Sequence, residues 1–218
     1  MRVIRAFIFD LDGTLVDSLP GIALALNHAL ADHGLPTYPE DEVVSFIGDG
    51  MPTLVKRALG VDHAAYQERI LAGIQKHYRD DWKQGTTPYP GIPSLLETLH
   101  SRNHPLAVLS NKPHPFTCEI VESLFPPHLF TTVQGHQDSI PKKPDPTSAL
   151  KIVSDWNLNP HEVAYVGDST VDLATAHAAG LVPLIFSWGY GTPSGISLLD
   201  STDDFIARLD QPTDQKLK

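Results

Sequence analysis

The sequence predicts an α/β fold, in which a doubly wound parallel sheet carries a block of helices inserted after its first strand. Residues 3–9 form a nearly unbroken apolar run rich in β-branched and aromatic side chains, which is typical of a strand buried on both faces of a parallel sheet. From residue 91 onward, helical patterns alternate with short apolar runs, and this alternation indicates βαβ units. Residues 16–87 show helical periodicity instead, which predicts the inserted helices.

The elements are expected in a fixed order along the chain. After the first strand, Asp17 or Ser18 caps a helix that has Pro20 in its first turn. Gly34 and Pro36 end this helix. Further helices are expected at 40–46, 51–59 and 64–82. The later strands are expected at 106–109, 130–133, 163–166 and 181–186.

Composition limits the classes of function. The net charge is −10, from 16 basic and 26 acidic residues, which argues against a nucleic-acid or an anionic-membrane partner. No apolar run is long enough to span a membrane, and the chain opens directly into a core strand, so we expect no removable signal peptide. Cys118 is the only cysteine, so no internal disulfide forms and a cytoplasmic location is expected. The sequence leaves the oligomeric state open.

Two carboxylates follow the first strand directly. Asp10 and Asp12 are one residue apart and precede Gly13, and ligands of open α/β sheets bind beyond the carboxyl ends of the strands. The two acids repel each other unless a cation joins them. Mg²⁺ is the natural candidate, since carboxylates and substrate phosphate oxygens hold it together. The alternative is a strand end followed by a solvated Asp-Gly turn.

Three further polar motifs lie later in the chain. Ser110 and Asn111 come directly after the second predicted strand of the sheet, and Asp168 and Asp172 follow the strand at 163–166. Lys143 lies in a stiff, proline-bounded loop before a helix. Each motif has a structural alternative: a surface lysine, a helix cap at Asn111 and a helix-surface acid at Asp172.

The order and spacing of these four motifs resemble the haloacid dehalogenase-like superfamily over the whole chain. The resemblance implies a Rossmann-like core, which we assign to residues 1–15 and 88–218, and an inserted helical cap at residues 16–87. The alternative is that these helices belong to a single core. Dehalogenases of this fold need neither the second aspartate nor the metal-binding acids, so the presence of both favours phosphoryl chemistry.

The resemblance also implies catalytic roles. Asp10 attacks phosphorus to form an aspartyl-phosphate, and Asp12 protonates the leaving alkoxide and then activates water. Lys143, Ser110 and Asn111 bind the phosphate oxygens, and Lys143 neutralises charge during the attack.

The metal site that the resemblance implies holds Mg²⁺. Its ligands are Asp10, the backbone carbonyl of Asp12, Asp168, and Asp172 either directly or through the metal's waters. Mg²⁺ and a small-molecule phosphate ester are therefore the expected cofactor and partner.

Within the superfamily, several stretches resemble the phosphoglycolate phosphatases, which makes 2-phosphoglycolate the lead substrate. These stretches are residues 48–50, 56–59, 89–91, 110–113 and 189–191. A pyrophosphatase, a nucleotide or sugar phosphatase, a phosphomutase and a non-enzymatic binding protein are the alternatives. Because the fold serves many substrates, this step rests on analogy.

The cap is expected to select the substrate. The turn formed by Gly48, Asp49 and Gly50 is expected to meet the mouth of the core, and Arg57 to bind the substrate carboxylate through two parallel hydrogen bonds. The alternative is that Arg57 points into solvent and braces the helix surface. Asp49 departs from the neutral residue common in the family, and it opposes carboxylate binding unless Arg57, Lys56 or Lys112 offsets its charge.

Overall fold

The structure, a computed structural model, describes residues 3–210 and contains a five-stranded parallel sheet with helices on both faces. The strands are β1 (Ala6–Phe9), β2 (Val16–Asp17), β3 (Thr87–Pro88), β4 (Leu106–Pro113), β5 (Thr132–His136), β6 (Val163–Gly167) and β7 (Val182–Ile185). The order in the main sheet is β5-β4-β1-β6-β7. The predicted α/β fold is therefore confirmed.

The helices are α1 (Leu19–Ala31), α2 (Glu40–Val43), α3 (Met51–Leu59), α4 (Gln67–Gly85), α5 (Ile92–Ser101), α6 (His114–Leu124), α7 (Thr147–Asp155), α8 (Thr170–Ala179) and α9 (Thr202–Asp210). The helix predicted at 40–46 is a single α-helical turn that continues as a 3₁₀ turn. The strand predicted at 130–133 begins at Thr132 and runs on to His136, because β4 pairs with it beyond an irregularity in register between Leu109 and Pro113.

The central strand β1 fixes where the site forms. It pairs in parallel with β4, where Phe9 lies opposite Val108, and with β6, where Phe9 lies opposite Val166. Phe7 and Phe9 pack into the core on one face of the sheet, and Ala6 and Ile8 pack into a second core on the other. Burial on both faces holds the carboxyl ends of these three strands side by side.

The helices of residues 16–87, called the helical block below, join the sheet through the antiparallel β2–β3 pair, which holds the start and the end of this block together. Within the block, α1 packs closely on α4, and a Cβ on Gly85 would lie 2.5 Å from the backbone nitrogen of Gly21. Trp82 on α4 donates a hydrogen bond to Glu119 on α6 over 3.1 Å. The division at residues 15 and 88 stays a prediction, and residues 1–2 and 211–218 of the assigned core lie outside the described residues. Between residues 3 and 210, no helix has the length and apolar character needed to cross a bilayer.

Candidate active site

Three buried carboxylates meet at the carboxyl ends of β1 and β6. Asp10, Asp168 and Asp172 are at most 9% exposed, and each offers one carboxylate oxygen within 4.8 Å of the others. The ammonium group of Lys143 lies 2.9 Å from Oδ1 of Asp10 and 2.8 Å from Oδ1 of Asp172. The structure thus brings together four of the residues that the motifs predicted.

The electrostatics of this cluster favour a bound cation. Burial raises the pKa of Asp10 to about 8, although Lys143 opposes the shift, and Asp172 and Asp168 add to it. Burial also raises the pKa of Asp168 to about 7, with a further contribution from Asp172. Carboxyl groups whose pKa is raised in this way either keep their protons or share a bound cation. A set of hard oxygen donors fits a small divalent metal ion.

Asp172 is positioned by the start of helix α8. Its Oδ2 accepts hydrogen bonds from the backbone nitrogens of Asp168 and Ser169, at 3.2 and 3.1 Å, and from the Ser169 hydroxyl at 2.6 Å. Ser169 caps the helix in return by accepting from the Asp172 nitrogen at 3.3 Å. Because Asp172 is 0% exposed, the alternative of a helix-surface acid is wrong.

Asp168 is held from two sides. The Thr14 hydroxyl donates to its Oδ1 over 2.8 Å, and the backbone nitrogen of Tyr190 donates to its Oδ2 over 2.7 Å. Gly13 has a φ of +80°, and a Cβ at that position would lie 2.6 Å from Oδ2 of Asp168. The turn after β1 therefore needs glycine both for its backbone conformation and for the space that Asp168 occupies.

Asp12 faces a different cation from the one that Asp10 contacts. Its two carboxylate oxygens lie 2.8 and 3.0 Å from the ammonium nitrogen of Lys112, and the Ser18 hydroxyl donates to it over 2.6 Å. The hydroxyl of Ser18 is therefore used on Asp12, while Asp17 accepts from the backbone nitrogen of Leu19 at the start of α1.

Lys112 is almost fully enclosed. Its side chain is 4% exposed, and the ammonium group lies 4.6 Å from the ring centroid of Tyr78 on α4. Burial lowers the pKa of Lys112, but Asp12 and Tyr78 beside it raise it above its ordinary value. The sequence predicts Lys112 as a possible counter-charge to Asp49 and includes it in the family-like stretch 110–113, but it does not predict the contact with Asp12. Its position two residues after Ser110 was the available signal.

The predicted phosphate-binding pair occupies the end of β4. Ser110 is 4% exposed and lines the cavity above the carboxylates. The side-chain amide of Asn111 binds mainly the backbone of Lys143. Its Oδ1 accepts a hydrogen bond from the Lys143 backbone nitrogen at 2.9 Å, and its Nδ2 donates to the Lys143 carbonyl oxygen at 3.1 Å. Asn111 thus fixes the backbone that carries Lys143.

A cavity separates these polar groups from the helical block. The core contributes Asp10, Asp12, Ser110, Asn111, Lys112 and Asp168, and the block contributes Ile22, Ile47, Met51, Leu54, Ile74 and Tyr78. One wall is therefore polar and charged, and the facing wall is largely apolar.

The predicted specificity residues divide into two groups. Gly48 and Gly50 line the cavity. Arg57 and Asp49 form an ion pair with each other, and Arg57 also donates to the Phe46 carbonyl at 3.1 Å. The structure does not bring Arg57 or Asp49 to the cavity wall, and the arrangement corresponds to the alternative in which Arg57 braces the helix surface.

The chain matches the family of haloacid dehalogenase-like hydrolases over residues 7–185, which is more than half of its length. It belongs to this family. The hydrolase is 35% identical to a phosphoglycolate phosphatase from Salmonella typhi, in an alignment that covers 97% of this chain and 95% of that protein. It is 39% identical to a phosphoglycolate phosphatase from Cereibacter sphaeroides, over 84% of this chain and 85% of that protein.

A solved structure gives the same result for the fold. The hydrolase superposes on a predicted phosphoglycolate phosphatase from Haemophilus somnus with a TM-score of 0.86 at 29% identity, covering 94% of this chain and 97% of that chain. The resemblance drawn from the four motifs is thereby confirmed, and so is the expectation of a phosphatase-like enzyme.

Tyr190 is a residue of this hydrolase whose position the sequence did not indicate. Its hydroxyl accepts from the backbone nitrogens of Ser18 and Leu19, at 2.7 and 2.9 Å, and donates to Asp17 at 2.8 Å. Since its backbone nitrogen holds Asp168, Tyr190 connects the carboxylate cluster to the start of α1. Its place between two glycines, in a stretch that resembles the family, was the available signal.

Proposed function

We propose that this hydrolase is a Mg²⁺-dependent phosphatase that cleaves a small phosphomonoester through an aspartyl-phosphate on Asp10, with 2-phosphoglycolate as its lead substrate. The observation that carries the proposal is the contact of Lys143 with both Asp10 and Asp172 beneath the cavity. The substrate class is supported by the two relatives, which are phosphoglycolate phosphatases and align with at least 84% of this chain. The single cysteine and the acidic net charge support a cytoplasmic enzyme that acts on small molecules.

The charge balance supports the metal. Four carboxylates, on Asp10, Asp12, Asp168 and Asp172, face the ammonium groups of two lysines. When Asp10 is ionised for the attack and Asp168 and Asp172 are ionised beside it, a phosphate dianion would be repelled by the cluster without a further positive charge. Asp10, Asp168, Asp172 and the Asp12 carbonyl would hold Mg²⁺, which supplies charge neutralisation at the phosphate oxygens when bound.

The residues divide the reaction between them. Oδ1 of Asp10 is held by Lys143 at 2.9 Å and by the Leu11 nitrogen at 2.7 Å, so we assign the attack on phosphorus to Oδ2. The ester P–O bond breaks as the new P–O bond to Asp10 forms, and the leaving oxygen takes a proton from Asp12. Water then attacks the same phosphorus, gives its proton to Asp12 and releases the Asp10 carboxylate. Ser110, at the cavity wall, binds a transferring oxygen.

The helical block acts as the cap in this proposal. Gly48 at its turn accepts a hydrogen bond from Asn111 over 3.4 Å, so the turn meets the core next to the lysine that Asn111 fixes. Closure over a small ligand would exclude water that competes with the substrate for the site. We therefore propose that residues 16–87 form the cap and that its turn contributes to substrate selection.

The test is a panel of phosphate esters with and without Mg²⁺, applied to the wild-type protein, Asp10→Asn and a matched control. We expect 2-phosphoglycolate to be the best substrate, and we expect excess EDTA and Asp10→Asn each to abolish turnover. Asp155→Asn is the control, because Asp155 pairs with Lys151 on the exposed surface of α7. Full activity in excess EDTA, or full activity of a folded Asp10→Asn protein, would rule out the proposed mechanism.

A further inference from the structure

The aliphatic side chains of the cavity wall give a substrate carboxylate no polar partner. Ile22, Leu54 and Ile74 on the helical block are at most 8% exposed and face the polar wall across the cavity. A carboxylate buried against such side chains without a hydrogen-bonded cation is strongly disfavoured. A small substrate with a carboxylate therefore needs a cation at the polar wall.

Lys112 is the cation that the cavity offers. Among the described residues that line the cavity, it is the one with a positive charge. Lys143 is already engaged by Asp10 and Asp172, which places it at the transferring phosphate. Arg57 is held by Asp49 outside the lining.

The chemistry of the substrate places its carboxylate near Lys112. In 2-phosphoglycolate, a single methylene separates the ester oxygen from the carboxylate carbon. The proposed mechanism brings Asp12 to that ester oxygen, and Lys112 lies 2.8 Å from Asp12. A residue in contact with the proton donor is therefore within reach of a carboxylate only one carbon beyond the reacting oxygen.

We propose that Lys112 binds the substrate carboxylate and thereby selects 2-phosphoglycolate over esters that lack this group. The inference rests on the proposed function. In the structure Asp12 is the counter-ion of Lys112, and the substrate carboxylate takes over that place. Three donors on one ammonium group allow the exchange to proceed without leaving Lys112 unpaired. Asp12 is then released from the ion pair, takes up a proton from solvent and turns toward the leaving oxygen, so that substrate recognition and proton delivery are linked at one lysine.

The experiment compares two esters of equal length. The substrate 2-phosphoglycolate carries the carboxylate, and 2-hydroxyethyl phosphate carries a neutral hydroxymethyl group in its place. For each protein the measured quantity is the ratio of kcat/KM for the two esters. We expect Lys112→Met to lower this ratio by roughly ten- to a hundredfold, the range for a lost charge-assisted hydrogen bond. Lys112→Arg keeps the cation and should retain most of the ratio.

Two further variants sharpen the comparison. Lys151→Met makes the same side-chain change on the surface of α7, where Lys151 is 69% exposed, and should leave the ratio as in the wild type. Arg57→Ala tests the competing residue in the cap, so a fall of the ratio in Arg57→Ala but not in Lys112→Met would overturn the inference. If Lys112→Met does not fold, Lys112→Gln keeps a hydrogen-bond donor for Asp12 and replaces it.

The outcomes separate this inference from the proposed function. Wild-type protein that hydrolyses neither ester contradicts the proposed function. Wild-type protein that hydrolyses both equally well excludes 2-phosphoglycolate as the selected substrate, and with it the inference. A wild-type preference for 2-phosphoglycolate, combined with an equal loss on both esters in Lys112→Met, leaves the proposed function intact and shows that Lys112 only positions Asp12.

Discussion

The substitution Gly13→Ala should displace Asp168 and weaken metal binding. A Cβ at residue 13 would lie 2.6 Å from Oδ2 and 2.8 Å from Cγ of Asp168, which is inside van der Waals contact. Asp168 has little room to turn away, because it is 2% exposed and is held by Thr14 and by the Tyr190 nitrogen. Groups that orient a metal ligand typically contribute roughly 10–100-fold to metal affinity or activity, and we expect a loss of that size.

A matched control separates this clash from backbone strain. Gly195 has a φ of +79°, against +80° for Gly13, but nothing lies within 4 Å of a Cβ at Gly195. Alanine in this left-handed backbone conformation has a conformational energy roughly 1–2 kcal/mol higher than glycine, and this cost is the same at both positions. Gly195→Ala should therefore lower the free energy of unfolding by that amount and leave the metal dependence unchanged.

Two measurements decide the outcome. Urea unfolding gives the free energy of unfolding of each variant, and titration of activity with Mg²⁺ gives the apparent metal affinity. Gly13→Ala should lose at least as much stability as Gly195→Ala and should need about 10–100-fold more Mg²⁺ for half-maximal activity. If the two variants show the same Mg²⁺ dependence, the reasoning that residue 13 must lack a Cβ for the sake of Asp168 is refuted.

Three other perturbations test neighbouring parts of the site. Asp12→Asn should lower kcat by about 10²–10⁴-fold, and the loss should be larger for esters with poor leaving groups; equal losses across leaving groups would remove Asp12 as the proton donor. In the metal-free protein, Asp10 keeps its proton up to about pH 8 and Asp168 up to about pH 7, whereas the unfolded chain loses them near 3.8. The melting temperature should therefore fall as the pH rises through this window, and Mg²⁺ should reverse the fall; a rise would contradict the protonated cluster. Tyr190→Phe leaves the backbone N–H of Ser18 without its acceptor, while the N–H of Leu19 keeps Asp17. Urea unfolding should therefore show a free energy of unfolding that is lower by about 1–3 kcal/mol, and an unchanged value would contradict the role of that hydroxyl.

The sequence was sufficient to predict the parts of the site that follow from strand topology. An apolar run that ends in Asp10, and another that ends before Asp168, place both acids at one edge of a parallel sheet. Pairing of β1 with both neighbours then brings Ser110 to the same edge. These positions depend on strand direction and order, which periodicity reveals.

Side-chain partners could not be predicted in the same way. The contact between Lys112 and Asp12 depends on the turn after β1 and on the packing of Tyr78 over the ammonium group, and no local pattern encodes either. Arg57 lies at a spacing from the glycine turn that suits a substrate contact, but its rotamer and the nearby Asp49 carboxylate direct it elsewhere. Spacing along a helix determines which residues are near a turn, and it does not determine which charge each one meets.

The two lysines give the proposed substrate preference a common physical basis. Lys143 neutralises Asp10, the proposed nucleophile, and the buried Asp172, while Lys112 neutralises Asp12, two residues after Asp10. A phosphate ester with a second anionic group presents one charge to each lysine. An ester without that group leaves Lys112 paired with Asp12, because a buried ammonium group does not exchange an anionic partner for an uncharged partner. In this proposal, discrimination between the two esters arises because the substrate carboxylate competes with Asp12 for Lys112, and a cap arginine is not required for it.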